Sequence, residues 1–158
     1  MVAERKDERI AMKIRAFREA DAPAATEILR TSPEAAQWTE LGFRELLGWH
    51  GVLALVGEED KKIIGFVVCR QAVGEAEILN LAIHLLRRRR GEGGALLKAA
   101  IAELRIRKIS RVFLEVRESN TPAIAFYIKH GFYKTGSRAG YYHNPEEAAT
   151  VMERKLTD

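Results

Sequence analysis

The sequence predicts a mixed α/β domain, with a largely antiparallel sheet in its first half and a βαβ unit in its second. Three observations carry this. Short apolar runs at residues 52–56 and 63–69, and a third strand-like segment at residues 75–83, are separated by turn signals and spaced to pair as neighbouring strands. Leu97, Ile101 and Leu104 then recur at helical spacing, with Leu96 and Ala100 beside them. A further apolar run, Arg111-Val112-Phe113-Leu114-Glu115-Val116, follows that helix directly, and strand–helix–strand of this length implies a parallel crossover.

The remaining elements fit around that frame. Residues 12–17 alternate apolar and polar, as a half-buried strand does. Asp21 can cap a helix with Pro23 in its first turn, Ala24, Ala25, Ile28 and Leu29 forming its apolar face. Residues 31–33 break it, and a second helical piece carries Trp38, Leu41, Phe43, Leu46, Leu47 and Trp49. Residues 57–61 read as the turn of the first hairpin. Ser119, Asn120, Thr121 and Pro122 start another helix, Ile124, Tyr127 and Ile128 share one of its faces, and Gly131 ends it. Residues 132–138 and 150–156 pair as final strands around a loop holding Tyr141, Tyr142, His143, Asn144 and Pro145.

Length and composition bound the function. The 158 residues suit one domain over residues 12–158, with a charged, loose tail at residues 1–11. Apolar residues make up 47% and charged residues 30%, which suits a globular chain. No apolar run approaches the roughly 20 residues a membrane span needs, and no signal peptide opens the chain, so a cytoplasmic protein with no membrane partner is expected. Cys69 is the only cysteine, which excludes an intrachain disulfide and a cysteine-based metal cluster; it reads as a small buried hydrophobe. Four histidines lack ligand spacing, so no metal site is expected. The net charge of +4 suits an anionic cofactor, nucleic acid or a ribosome-like partner without choosing among them.

One stretch narrows that choice. Arg87, Arg88, Arg89 and Arg90 run into Gly91-Glu92-Gly93-Gly94-Ala95, where the long helix opens. Glycine permits a tight turn and close approach, and a helix N-terminus presents unpaired N–H groups to an anion. No Gly-Lys-Ser/Thr follows, so this is not a P-loop, and the context of a dinucleotide fingerprint is missing. The bland alternative is a basic loop with a capping glycine. Four arginines also admit RNA or DNA, but no aromatic platform interleaves with them.

Arg88-x-x-Gly91-x-Gly93 before an Ala-Leu-Leu helix resembles the acetyl-coenzyme A motif of the GNAT superfamily of N-acetyltransferases. Asn80-Leu81-Ala82-Ile83 looks like that family's splayed fourth strand, and Asn120-x-x-Ala123 with Phe126-Tyr127-x-x-x-Gly131-Phe132 looks like its second signature. Leu114 to Val116 with Arg117, Ser119 and Asn120, then Arg138-x-x-Tyr141-Tyr142, Pro145-x-Glu147-Ala148 and Met152, resemble the bacterial ribosomal-protein alanine N-acetyltransferases. The resemblance spans residues 12–156. It implies a single-domain GNAT-type mixed sheet with splayed central strands. Acetyl-CoA (the acetyl donor) would be held by Leu81, Ala82, Ile83, Arg88, Arg89, Arg90, Gly91, Glu92, Gly93, Gly94, Ala95, Asn120 and Ala123. It further implies direct transfer to a protein's N-terminal amine, possible on a ribosomal protein, by a monomer or weak dimer, with Glu115 as proton acceptor and Tyr127 as proton donor to the leaving thiolate.

The residue chemistry is compatible with those roles. A carboxylate between Leu114 and Val116 sits in the apolar setting that suits a base; its plain alternative is a solvent-facing strand glutamate. Tyr127 could protonate a departing thiolate or only pack on the core face of its helix. Glu77 and Tyr142 are candidates for the acceptor side, Glu77 assisting in acid–base work and Tyr142 near the incoming peptide. Departures from the family pattern are the acidic Glu92 between two glycines and a loop of His84, Leu85, Leu86 and Arg87 without the usual proline and aromatic. Other readings are a lysine or small-molecule amine as acceptor, a nucleic-acid-binding module, and a non-catalytic acetyl-CoA-binding domain.

Overall fold

The computed structural model describes residues 12–88 and 90–156; the expected tail at residues 1–11, Arg89 and residues 157–158 lie outside them. In chain order the strands are β1 (Lys13–Ala16), β2 (Val52–Glu59), β3 (Lys62–Ala72), β4 (Glu75–Ile83), β5 (Arg111–Arg117), β6 (Tyr133–Tyr142) and β7 (Glu147–Lys155). They form one sheet in the order β1-β2-β3-β4-β5-β7-β6, antiparallel except between β4 and β5. Helices α1 (Ala22–Arg30), α2 (Glu40–Leu47), α3 (Glu92–Ile106) and α4 (Thr121–Lys129) cover it. The mixed α/β architecture read from the sequence is therefore the one observed, with α3 as the crossover between the parallel strands.

Two apolar layers hold the sheet. Ala76, Ile78, Val112, Leu114, Val116 and Met152 pack with Leu96, Leu97, Ala100, Ile101 and Leu104 of α3 and with Ile124 and Tyr127 of α4. On the opposite face Phe17, Phe43 and Phe66 pack with α1; Phe43 lies 5.4 Å from Phe17 and 5.3 Å from Phe66, ring centre to ring centre. Cys69 is buried, and burial pushes its thiol up to about 12, which makes it inert.

Two irregularities place the site. A bulge opposite Val68 and Cys69 takes Leu79 out of register. Ala76 and Ile78 before it face the α3 layer; after it Ala82 faces the α1 side while Ile83 returns to α3. One extra residue thus reverses the alternation of the strand. In addition, β4 and β5 pair only at Glu75–Arg111, Ala76–Val112 and Glu77–Phe113, and both strands then continue apart.

Several local expectations are corrected. The first hairpin turn is Asp60-Lys61, both at positive φ (48° and 63°), while Gly57, Glu58 and Glu59 belong to β2. Ile128 is exposed, so Ile124 and Tyr127 alone make the buried face of α4. Leu41 is exposed likewise, leaving Phe43 and Leu46 as the buried residues of α2. β6 extends through Tyr141 and Tyr142, which were expected in a loop.

Asp21 precedes α1 but does not cap it with its side chain. Its carboxylate instead accepts two bonds from Arg15, at 2.8 and 2.9 Å, and one from the Arg18 N–H at 2.8 Å. Burial alone would push this carboxyl up; the Arg15 and Arg18 bonds overcome it and hold it below its ordinary 3.8. A depressed pKa adds stability above the unfolded value, lost as pH falls through the folded one. Asp21→Asn should therefore cost roughly 3 kcal/mol at neutral pH, read as a lower Tm. That difference should shrink in acid, below pH 3.8, as the native carboxyl protonates.

Candidate active site

Where β4 and β5 part, a cleft of about 1260 Å³ opens. Its walls are the end of β4, the start of α3, the end of β5 and the face of α4, with the loop at residues 32–38 and the end of β6 with residues 143–144 also lining it. The loop is tied to the sheet by Asn80, whose Nδ2 donates to the Ala36 carbonyl at 2.9 Å.

One end of the cleft suits an anion. Gly91 takes the left-handed conformation, φ 82°, at the start of α3, and the first helical bond runs from Ala95 N–H to the Gly91 carbonyl. The N–H groups of Glu92, Gly93 and Gly94 therefore precede the helical hydrogen-bond pattern and point out of the helix end. A Cβ at Gly94 would lie 2.9 Å from the His130 ring, which would have to shift. Leu81, Ala82 and Ile83 pair with β3 along one edge, at Val67, Phe66 and Gly65, and turn the other edge toward the gap left by β5.

Two of the arginines are engaged by groups of the protein itself. Arg88 donates to Ser32 Oγ at 2.6 Å and to the Ile83 carbonyl at 3.3 Å, and pairs with Glu34 at 2.9 Å. Its side chain braces the strand end against the loop after α1. Glu92 accepts from Arg87 at 2.6 Å, and Arg87 also pairs with Glu59. The acidic side chain in the glycine turn is thus tied through Arg87 to the β2–β3 hairpin, while its Oε2 is buried without a hydrogen-bond partner. Arg90 is exposed and Arg89 lies outside the described residues. Lys98, Lys129 and His130 line the cleft here, a set the sequence reading missed although Lys98 stands one helical turn beyond Gly94.

The other end is acidic. Glu77 faces Phe113 across the ladder and Glu115 is two residues further along β5, so both carboxylates lie on one sheet face. Glu115 has a side chain only 7% exposed; Oε1 lies 3.2 Å from Arg138 Nη1, while Oε2 is buried with no hydrogen-bond partner. Burial, followed by the charge of Glu115, pushes the Glu77 carboxyl up, against the pull of Arg138. Polar contact with the Glu115 carboxylate, then burial, pushes the Tyr141 hydroxyl up to about 12. Tyr142 is raised by burial first and by Glu115 second. Arg117 lies 4.4 Å over the Tyr142 ring and donates to the Pro145 carbonyl at 3.0 Å, fixing the wall of the cleft. Sequence reasoning assigned no role to Arg117 or Arg138, and Tyr141 only packing.

Tyr127 lines the cleft from α4, packed against Phe126 and Phe132 at 5.1 and 5.4 Å, and burial raises its hydroxyl well above the usual range. Asn120 caps α4, its Oδ1 accepting from the Ala123 N–H at 3.3 Å, and both residues border the same space. Among the described residues, one cleft therefore gathers every candidate except Arg90. Among the described residues no group of three or more histidine, cysteine or acidic side chains forms a metal-binding cluster, and no helix is long and apolar enough to cross a membrane.

Residues 22–132 match the family model described as the acetyltransferase (GNAT) family. The chain is 34% identical over 134 residues to the ribosomal protein bS18-alanine N-acetyltransferase of Escherichia coli (strain K12), covering 84% of this chain and 89% of that one. The crystal structure of the ribosomal-protein-S18-alanine N-acetyltransferase from Escherichia coli superposes with a TM-score of 0.82 at 30% identity, over 94% of this chain and 96% of that one. Ard1 from Thermoplasma volcanium gives 0.85 at 31% identity, over 94% and 100%.

The raised Glu77 carboxyl has a measurable consequence. Its folded state holds the proton more tightly than the unfolded chain, so stability falls as pH rises through the window above its ordinary 4.5. Glu77→Gln removes that fall. The Tm of the variant relative to the native protein should rise from pH 4 upward and then level; a constant offset would refute the assignment.

Proposed function

This chain belongs to the GNAT family and is an acetyl-transferring enzyme, and on that premise we propose that it takes acetyl from acetyl-CoA and places it directly on the N-terminal α-amine of a protein. The observation that carries this reading is the buried, unpartnered Oε2 of Glu115 on the floor of the cleft whose far end is the α3 N-terminus.

The donor set fits acetyl-CoA. The N–H groups at the start of α3 would hold its phosphates, and the free edge of Leu81, Ala82 and Ile83 would pair with the amides of its arm. Lys98 and Lys129 add positive charge to the same end. Bound there, the cofactor supplies a thioester open to attack by a neutral amine. An α-amine with pKa about 8 is about a tenth neutral at pH 7, far more than a lysine at about 10.4. Glu115 takes the proton of the arriving ammonium at its unpaired oxygen. Tyr127, on the α4 wall of the cleft, would serve the leaving thiolate as a hydrogen-bond donor, since burial keeps its phenol protonated. Tyr142, held by Arg117, borders the path of the acceptor chain.

The acceptor class is supported by the relatives. The Escherichia coli enzyme that aligns over most of both chains is named for the alanine of ribosomal protein bS18, and a ribosomal protein with N-terminal alanine is the acceptor proposed here.

Acetylation of a panel of peptides, with the acetyl group located by mass spectrometry, tests this. Modification of the α-amine is expected, and lysine-only modification would overturn it. Glu115→Gln should lower turnover by about 100-fold or more while acetyl-CoA still raises the Tm as it does for the native protein. Unchanged turnover in that variant would remove Glu115 from the mechanism.

A further inference from the structure

Arg138 has no part in the transfer just described, yet its guanidinium lies 3.2 Å from the proposed base. The two partners are unlike in their setting. The Glu115 side chain is 7% exposed and fixed in the sheet, whereas that of Arg138 is 61% exposed and reaches in from β6, the edge strand. Regular pairing of β6 with β7 is interrupted directly after Arg138, before it resumes at Tyr142 and Glu147. The same guanidinium lies 5.9 Å from the Tyr141 ring, so a cation leaving Glu115 has an aromatic face beside it.

We propose that Arg138 is a resting counter-ion of Glu115 that the acceptor's ammonium displaces, which makes Arg138 a specificity-determining residue of the acceptor site. The inference rests on the reading of Glu115 as the proton acceptor. Glu77 on β4 and Glu115 on β5 face one another's charge, and Arg138 attracts both. Tyr141 and Tyr142 of β6 also face Glu115, and the β7 residue paired with it is the uncharged Val151. Removing the arginine alone would leave two carboxylates without a cation, at a cost that burial of Glu115 increases. An arriving ammonium replaces one cation by another and keeps the balance. The product is an amide and carries no charge there, so the return of Arg138 to Glu115 favours its release.

Arg138→Gln, with Arg138→Ala as a second removal and Arg138→Lys as the conservative variant, tests the proposal on an acceptor peptide and its N-acetylated product. Without the arginine, the KM of the acceptor and the inhibition constant of the product should both fall by about fivefold, the size of a half-exposed ion pair. Lysine at this position should restore both properties. A KM that is unchanged or raised in Gln and Ala variants that retain the native acetyl-CoA thermal shift would overturn the proposal. Glu115→Gln measured alongside separates the two claims: if it remains fully active the base assignment itself fails, and if it is inactive while the Arg138 variants keep their native KM, only the counter-ion proposal fails.

Discussion

Backbone N–H and C=O groups inside a sheet need partners, and β4 and β5 stop supplying them to each other after Glu77 and Phe113. Each strand stays paired on its far side, β4 with β3 and β5 with β7, so the separation does not unravel the sheet. The α3 and α4 layer bridges the divide, since Ile78 and Ile83 of β4 and Leu114 and Val116 of β5 share one apolar cluster. The gap is therefore a stable feature of the fold. It leaves a polar strand edge, a helix N-terminus and a buried carboxylate facing one space, which is the combination a thioester and an amine require.

Charge is distributed along that space in two separate systems. At the α3 end, the side chains of Arg87 and Arg88 are taken up by Glu59, Glu92, Ser32 and Glu34, which leaves the backbone N–H groups of the helix start without helical partners. This also accounts for an acidic residue inside the glycine turn: Glu92 occupies the first turn of α3, where a negative charge is favoured, and its side chain is held by Arg87. At the β5 end, Arg138 balances two facing carboxylates from the exposed edge of the sheet. Arg87 and Arg88 are thus engaged at the α3 end, and the more exposed Arg138 stands at the β5 end.

Much of this was legible because some residues have few alternatives. The glycine turn and the cap of α4 announce helix starts through the demands of Gly91 and Asn120 on the backbone. The periodicity of α3 and the apolar strands gave the layer order. The partners of Asp21, Arg88 and Glu92 could not be read, because each is set by groups distant in sequence or by competing local bonds, such as Ser32 for Arg88. The bulge at Leu79 shows in the sequence only as the step of the polar positions from Glu75 and Glu77 to Asn80, a single change of parity. The extent of β6 was missed because all its residues but Tyr142 are exposed, so no alternation of apolar and polar residues reveals the strand.

The central claim is that the unpaired edge of β4 and the start of α3 together hold acetyl-CoA. Hydrogen exchange of the backbone amides, with and without acetyl-CoA, tests it residue by residue. Protection concentrated at Leu81 and Ile83, whose N–H groups alternate with the β3-bonded Ala82 and face the gap, and at Glu92, Gly93 and Gly94 is the result expected. Saturating acetyl-CoA that left these five amides unchanged while protecting others would contradict it.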